Sequence, residues 1–141
     1  MIRYDRQDTN FVFKGRRLNS RWLGNVAENE GKKLGDIAVV FCSDEYLLGV
    51  NRQFLKHDYY TDIITFDYCE GDILSGDLLI SVDSVKDNAL HFGASFDEEL
   101  HRVIVHGLLH LIGYEDHSEE EQKQMREKEN QYLCVRNMMS L

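Results

Sequence analysis

The twelve residues HGLLHLIGYEDH, 106–117, hold three of the chain's six histidines. His106 and His110 are four apart, so on a helix they stand one turn above each other, with Cβ atoms roughly 5–6 Å apart. That spacing lets two imidazoles bind one ion. Gly113 stops such a helix, because a glycine after the last turn takes the left-handed conformation that folds the chain back. The reversal swings Tyr114, Glu115, Asp116 and His117 towards the same point, and one of them would supply a third ligand.

Upstream, residues 98–112 add Leu100, Val103, Ile104, Leu108 and Leu111 to the histidines. A helix apolar over most of its circumference belongs at the centre of a fold. Ser95 with Glu98, and Ser118 with Glu121, have the spacing of capping boxes. They predict the start of this helix and of a charged helix running to about residue 133.

Working towards the N-terminus, TDIITF (61–66) and GDLLISVD (76–83) read as neighbouring strands, and residues 84–91 as a helix ended by Gly93. If adjacent and antiparallel, the strands form a hairpin across an acidic loop. Ser43 followed by Asp44 and Glu45 predicts an N-cap for a helix reaching Phe54, with Tyr46, Leu47, Val50 and Phe54 inward. DIAVVFC (36–42) is a buried strand. NFVFK (10–14) alternates like a strand, and residues 18–33 carry Leu18, Trp22, Leu23 and Val26 at helical spacing, closed by Gly35 with Lys32 and Lys33 in the last turn. The pattern β-α-β-α-β-β-α-α-α predicts an α+β fold. One domain, 1–141, packs a mixed four-stranded sheet against about five helices with the histidine helix central.

Composition sets outer bounds. A chain of 141 residues with 43% hydrophobic content supports one core. No run approaches the roughly 20 apolar residues of a membrane span, and MIRYDRQDTN lacks the apolar stretch of a signal peptide. A cytoplasmic protein without a membrane partner is expected. Cys42, Cys69 and Cys134 form no C-x-x-C pair and are read as buried small apolar residues. His57, His91 and His101 are read as ordinary surface or interface residues. The net charge of −9 argues against a nucleic-acid partner, but residues 1–35 hold eight Lys and Arg against four acids, a local net of +4. That segment is either a basic face for an anionic partner or a solvated basic helix.

Zinc takes imidazole nitrogen and carboxylate oxygen, and catalytic zinc keeps three protein ligands with one position open. In the frame H-E-x-x-H-x-x-G-x-x-H, His106, His110 and Gly113 fall in register and the last position is Asp116. His117 lies one residue beyond, so the frame nominates Asp116 while ligand habit favours His117. An isolated histidine pair on an apolar helix is ordinarily a hydrogen-bonded core pair; Gly113 and the further ligand types in frame favour a metal. Gly107 stands where that frame places its general base, which argues against a zinc peptidase. Glycine there permits close approach of a neighbouring element or substrate.

HGLLHLIGYEDH resembles the H-G-x-L-H-L-x-G-Y-D-H signature of the YbeY family, metal-dependent endoribonucleases of ribosomal RNA maturation. Residues 51–66, NRQFLKHDYYTDIITF, resemble a second family block, with Asn51, Asp58, Thr61, Asp62 and Phe66 in place, and GDLLIS (76–81) a third. The resemblance spans about residues 37–130. It implies a zinc-dependent endoribonuclease that cuts single-stranded RNA, not DNA, at the 3′ end of small-subunit ribosomal RNA and in ribosome quality control. Run ungapped, it puts the third ligand on Asp116, with His117 as the alternative. The family's arginine falls on Leu55, beside Lys56, and its two prolines on Tyr60 and Asp67. Expected helpers are Lys56 or Arg102 for phosphate charge and Glu115 for proton transfer, while Asp58, Thr61 and Asp62 shape their loop. Leu55 also leaves room for a non-catalytic ribosome-assembly factor with a structural metal.

Overall fold

The computed structural model describes residues 1–140. In chain order it runs β1 (Ile2–Gln7), α1 (Arg16–Asn29), β2 (Lys33–Cys42), α2 (Asp44–Val50), a π-helical turn (Asn51–Leu55), β3 (Ile63–Asp67), β4 (Ile73–Ser81), α3 (Val82–Phe92), α4 (Phe96–Ile112) and α5 (Glu119–Met139). The four strands form one mixed sheet ordered β1-β2-β4-β3. β1 and β4 run parallel to β2, whereas β3 pairs antiparallel with β4, from Ile63 opposite Ile80 to Asp67 opposite Gly76. The α+β architecture and the hairpin are as the sequence predicts.

Alternation along β2 splits the sheet into two faces. Ile37, Val39 and Phe41 join Leu78 and Ile80 in the main core beneath α1 and α4. Cys42, Ile64 and Leu79 face the other way, where α2 supplies Leu47 to a small second cluster. α4 is the central helix, with Leu100, Ile104, Val105, Leu108 and Leu109 at most 1% exposed. At roughly 1.5–3 kcal/mol per buried large side chain, it is anchored strongly enough to hold a site at its end. The indole N–H of Trp22 donates to the buried Tyr132 carbonyl at 2.8 Å, tying α1 to α5.

Several expectations need correction. The first strand is IRYDRQ, not residues 10–14. β1 is an edge strand with one neighbour, and charged side chains at exposed Arg3, Asp5 and Arg6 suit a sheet edge. Residues 10–14 do bury alternate side chains, since Phe13 stacks on Tyr4 and Phe41 while Val12 is 63% exposed. They do so as extended chain without ladder bonds. α1 ends at Gly31 (φ 76°) instead of Gly35, and Lys32 and Lys33 lie beyond it, Lys32 pairing with Asp72 at 3.1 Å. Gly35 sits in β2, where an added Cβ would come within 2.9 Å of the Leu74 carbonyl oxygen. The face predicted for this helix is only partly observed: α2 buries the adjacent pair Leu47 and Leu48 and leaves Tyr46 exposed, and the π-helical turn that follows carries Phe54 to the surface. Of the cysteines only Cys42 is buried, its thiol pushed up to about 12 by burial and by Asp44, Asp83 and Asp8; Cys134 is exposed. His101 is buried with its ring edge-on to Trp22, while His57 and His91 are exposed. No helix is long and apolar enough to cross a membrane.

Candidate metal centre

α4 begins at Ser95, whose hydroxyl accepts the Glu98 N–H at 3.1 Å, one half of the predicted capping box. It ends at Gly113 (φ 127°), a conformation that only glycine adopts without strain. The Tyr114 and Gly113 amides donate to the Leu109 and His110 carbonyls, closing the last turn in a Schellman arrangement. That turn delivers Asp116 to the histidines. α5 then starts with the complete capping box Ser118–Glu121, and Gln122 donates to the Asp116 carbonyl at 3.1 Å, fixing the loop from its far side.

His106 Nε2 and His110 Nε2 are 3.0 Å apart, and Asp116 Oδ2 lies 3.4 and 3.3 Å from them. Ligand atoms bound tetrahedrally at ~2.0–2.2 Å stand roughly 3.3–3.6 Å from one another. The outer nitrogens are already committed. His106 Nδ1 donates to Glu129 Oε2 at 2.7 Å and His110 Nδ1 to the Tyr114 carbonyl at 2.9 Å. With those protons fixed, two neutral rings turn their Nε2 lone pairs on one point beside a carboxylate. Such a donor set fits a divalent cation, and carboxylate or carbonyl partners behind the imidazoles are the usual support of a metal-binding histidine.

The carboxylates beside His106 also act on its own proton. Burial opposes charge on His106, but the Glu129 hydrogen bond and the Glu129 and Asp116 carboxylates outweigh it and raise its pKa. Burial likewise works against Glu129, yet His106 and Arg102 hold its carboxyl below the usual range. Asp62 is raised, by burial first, with His106 pulling the other way, and it accepts from Asn88 at 3.2 Å.

His117 is not brought into this group: its side chain is 81% exposed and faces Glu115 at 3.2 Å. Arg102 is committed to Glu129 at 2.9 Å and Asn130 at 2.8 Å, which leaves its guanidinium bracing Glu129 instead of open to a phosphate. Lys56 ends the π-helical turn in the left-handed conformation (φ 57°), exposed and without an ion pair among the described residues. Asp58 pairs with Arg52, and the Thr61 hydroxyl donates to the Ile63 carbonyl at 3.4 Å, so both act within their loop. A Cβ on Gly107 would meet Ile63 and Leu78 side-chain carbons at 2.8 and 2.9 Å. The glycine therefore lets α4 approach β3 and β4, and its position faces the sheet, not the ligands.

Two residues escaped the sequence reading. Glu129 could have been found, because Met125, Glu129 and Tyr132 recur at helical spacing as the buried stripe of α5 and the glutamate is its one charged member. Glu30, at the end of α1, accepts from the hydroxyls of Tyr114 (2.6 Å) and Tyr132 and from Lys128 (3.2 Å). Burial works against its charge, but these donors hold its carboxyl low. It pins the loop residue whose carbonyl orients His110, and nothing in local sequence marks it.

The sequence profile of the family described as Endoribonuclease YbeY matches residues 3–136. A protein of that description from Bacteroides thetaiotaomicron is 59% identical over 121 residues, 86% of this chain and 88% of its own. Another, from Parabacteroides distasonis, is 52% identical, with 95% and 94% covered. Among solved structures, the solution structure of TM1509 from Thermotoga maritima superposes with a TM-score of 0.67 at 30% identity, covering 94% of this chain and 87% of that one. The match takes in His106, His110 and Asp116 together with Glu30 and Glu129, and this chain belongs to the endoribonuclease YbeY family.

Proposed function

We propose that this protein is a metal-dependent endoribonuclease that hydrolyses single-stranded RNA during ribosomal RNA maturation and ribosome quality control in the cytoplasm. The observation that carries the reading is the convergence of His106 Nε2, His110 Nε2 and Asp116 Oδ2 within 3.4 Å of one another, with both Nδ1 protons held elsewhere. These three residues would hold one zinc ion. Bound there, the ion would supply a Lewis acid for a phosphodiester oxygen or for the attacking water. Two neutral imidazoles and one carboxylate leave the site a net charge of about +1, suited to an anionic substrate.

The chain's own residues divide the remaining work. Glu129 and the Tyr114 carbonyl keep each imidazole in the tautomer whose Nε2 can bind, and Arg102 braces Glu129. Glu115, next to Asp116 in the loop and 3.2 Å from His117, is the carboxylate left to hold or pass a proton. Lys56, unpaired and exposed, is the helper left to meet phosphate charge, as a point charge without the fork of an arginine. A peptidase is disfavoured, because the position of its general base is taken by Gly107 and turned into the sheet.

The test is metal content together with cleavage of single-stranded and duplex RNA, for wild type and His110→Ala. We expect near-stoichiometric zinc and single-strand cleavage in the wild type, both lost in the variant. Unchanged metal in His110→Ala would falsify the site, and a zinc-loaded wild type that cuts no RNA would leave the metal structural.

A further inference from the structure

The sheet face turned away from α4 is covered at one end by α2 and otherwise lies open as a groove of about 1060 Å³. Its floor is Ala38, Val40 and Leu79. Arg3 shares this face with Ala38, its partner across β1 and β2, whereas Arg6 and Arg16 line the groove from around the β1 edge; Tyr46, Phe54 and Tyr68 also line it. The three aromatic rings are 37%, 60% and 58% exposed. Phe54 is held edge-on against Phe66 of β3 with centroids 6.2 Å apart, so it is presented and not loose. Large rings gathered in one groove mark a recognition surface more than random exposure does.

The guanidiniums are nearly uncommitted. Arg16 makes no hydrogen bond or ion pair among the described residues, Arg3 reaches only the exposed Asp5 at 3.8 Å, and Arg6 touches the Asn10 and Phe11 carbonyls at 3.4 Å. Asp5 and Asp77 also face the groove, so its lining is net positive by one charge in a chain of net −9. An acidic peptide would use the arginines and leave the rings idle.

We propose that this groove binds a segment of single-stranded RNA flanking the scission site, with phosphates on Arg3, Arg6 and Arg16 and unstacked bases on Tyr46, Phe54 and Tyr68. Guanidinium forks grip phosphate, and aromatic faces accept any base that a duplex would keep stacked. β3 links the two sites: Ile63 packs at Gly107 beside the metal helix, and Phe66 lines the groove. Five strand residues span about 17 Å, within reach of a strand that occupies ~4–16 nucleotides in such grooves. The proposal rests on the endoribonuclease reading.

The experiment is fluorescence anisotropy of a labelled single-stranded oligouridylate on the zinc-loaded protein over a range of salt, with the RNA checked intact afterwards. The triple variant Arg3→Gln/Arg6→Gln/Arg16→Gln should raise Kd at least tenfold and flatten the salt dependence by about 2 in log–log slope, at ~0.7 per phosphate. Phe54→Ala/Tyr68→Ala, both exposed positions, should raise Kd at least tenfold with the slope unchanged. Both should raise KM for cleavage more than they lower kcat, whereas His110→Ala should lose cleavage and keep its RNA affinity. Wild-type Kd and slope in both groove variants, with cleavage intact, overturn the groove alone. A dimer that dissociates on removing the arginines, without change in RNA affinity, also overturns it in favour of a self-interface. A wild type that neither binds nor cuts RNA overturns the endoribonuclease reading together with it.

Discussion

Glu129 of α5 accepts the Nδ1 proton of His106 of α4 at 2.7 Å, while its other oxygen takes Arg102 at 2.9 Å. Glu129 is 5% exposed and both of its carboxylate oxygens are engaged. The proposed metal site therefore depends on a helix that contributes no ligand. Rotating α5 by a fraction of a turn would remove the proton acceptor and free the His106 ring.

From this pairing, Glu129→Gln should keep the fold and weaken the metal. The amide can still accept from Nδ1, but it carries no charge to raise the basicity of the imidazole, and its NH₂ meets Arg102 as donor against donor. Loss of such a supporting partner typically costs 10–100-fold in metal affinity. Competition with a chromophoric zinc chelator would measure it. An unchanged affinity would reduce Glu129 to a packing role.

Asp116 and His117 are separated by the same titration. Asp116 Oδ2 stands 3.3 Å from His110 Nε2, while His117 points to solvent and Glu115. Asp116→Ala should lose most of the bound zinc and His117→Ala little of it. The reverse order would move the third ligand by one residue.

How much of this was legible in the sequence depends on whether the signal was local. The histidine pair, Gly113 and the register of Asp116 follow from helix periodicity and a cap, so the cluster of His106, His110 and Asp116 could be anticipated, with His117 as the alternative to Asp116. The hairpin and the last four helices came from the same kind of signal. β1 could not be seen that way: IRYDRQ is polar because an edge strand buries only Tyr4, and its pairing with residues 37–42 is a long-range event. Residues 10–14 imitated a strand because alternate aromatic burial does not require a ladder. The π-helical turn at 51–55 interrupts the 3.6-residue period and carries Phe54 to the surface, which a helical pattern run through that segment cannot anticipate. Glu30 is invisible locally, since its hydroxyl donors lie 84 and 102 residues away.

Gly107→Ala tests the approach of α4 to the sheet. Its methyl would stand 2.8 Å from Ile63 and 2.9 Å from Leu78 carbons. Overpacking costs about 1–3 kcal/mol, and the better helix propensity of alanine returns about 1 kcal/mol. A net loss of about 1 kcal/mol in urea unfolding is expected, with zinc content retained because the ligands lie on another face of the helix. A more stable variant would show that the strands yield at no cost and that the glycine answers to something else.

His101 gives the clearest dependence on pH. Burial, reinforced by the neighbouring Arg136, lowers its pKa from 6.5 to about 4, and Asp97 only partly offsets them. The folded state therefore resists protonation that the unfolded chain accepts. The neutral ring's contribution is fully present above about pH 6.5 and is lost as the pH falls from there to about 4. A shift of this size corresponds to at most about 3 kcal/mol. Carboxylates titrate over part of the same range, so the informative quantity is the difference between wild type and His101→Gln, a polar ring replacement that cannot ionise. Denaturant unfolding at pH 7.5 and pH 4.5 should show the wild type losing more stability than the variant, by about 2 kcal/mol. Equal losses would mean that the ring reaches water in the folded protein and that its packing against Trp22 does not exclude the proton.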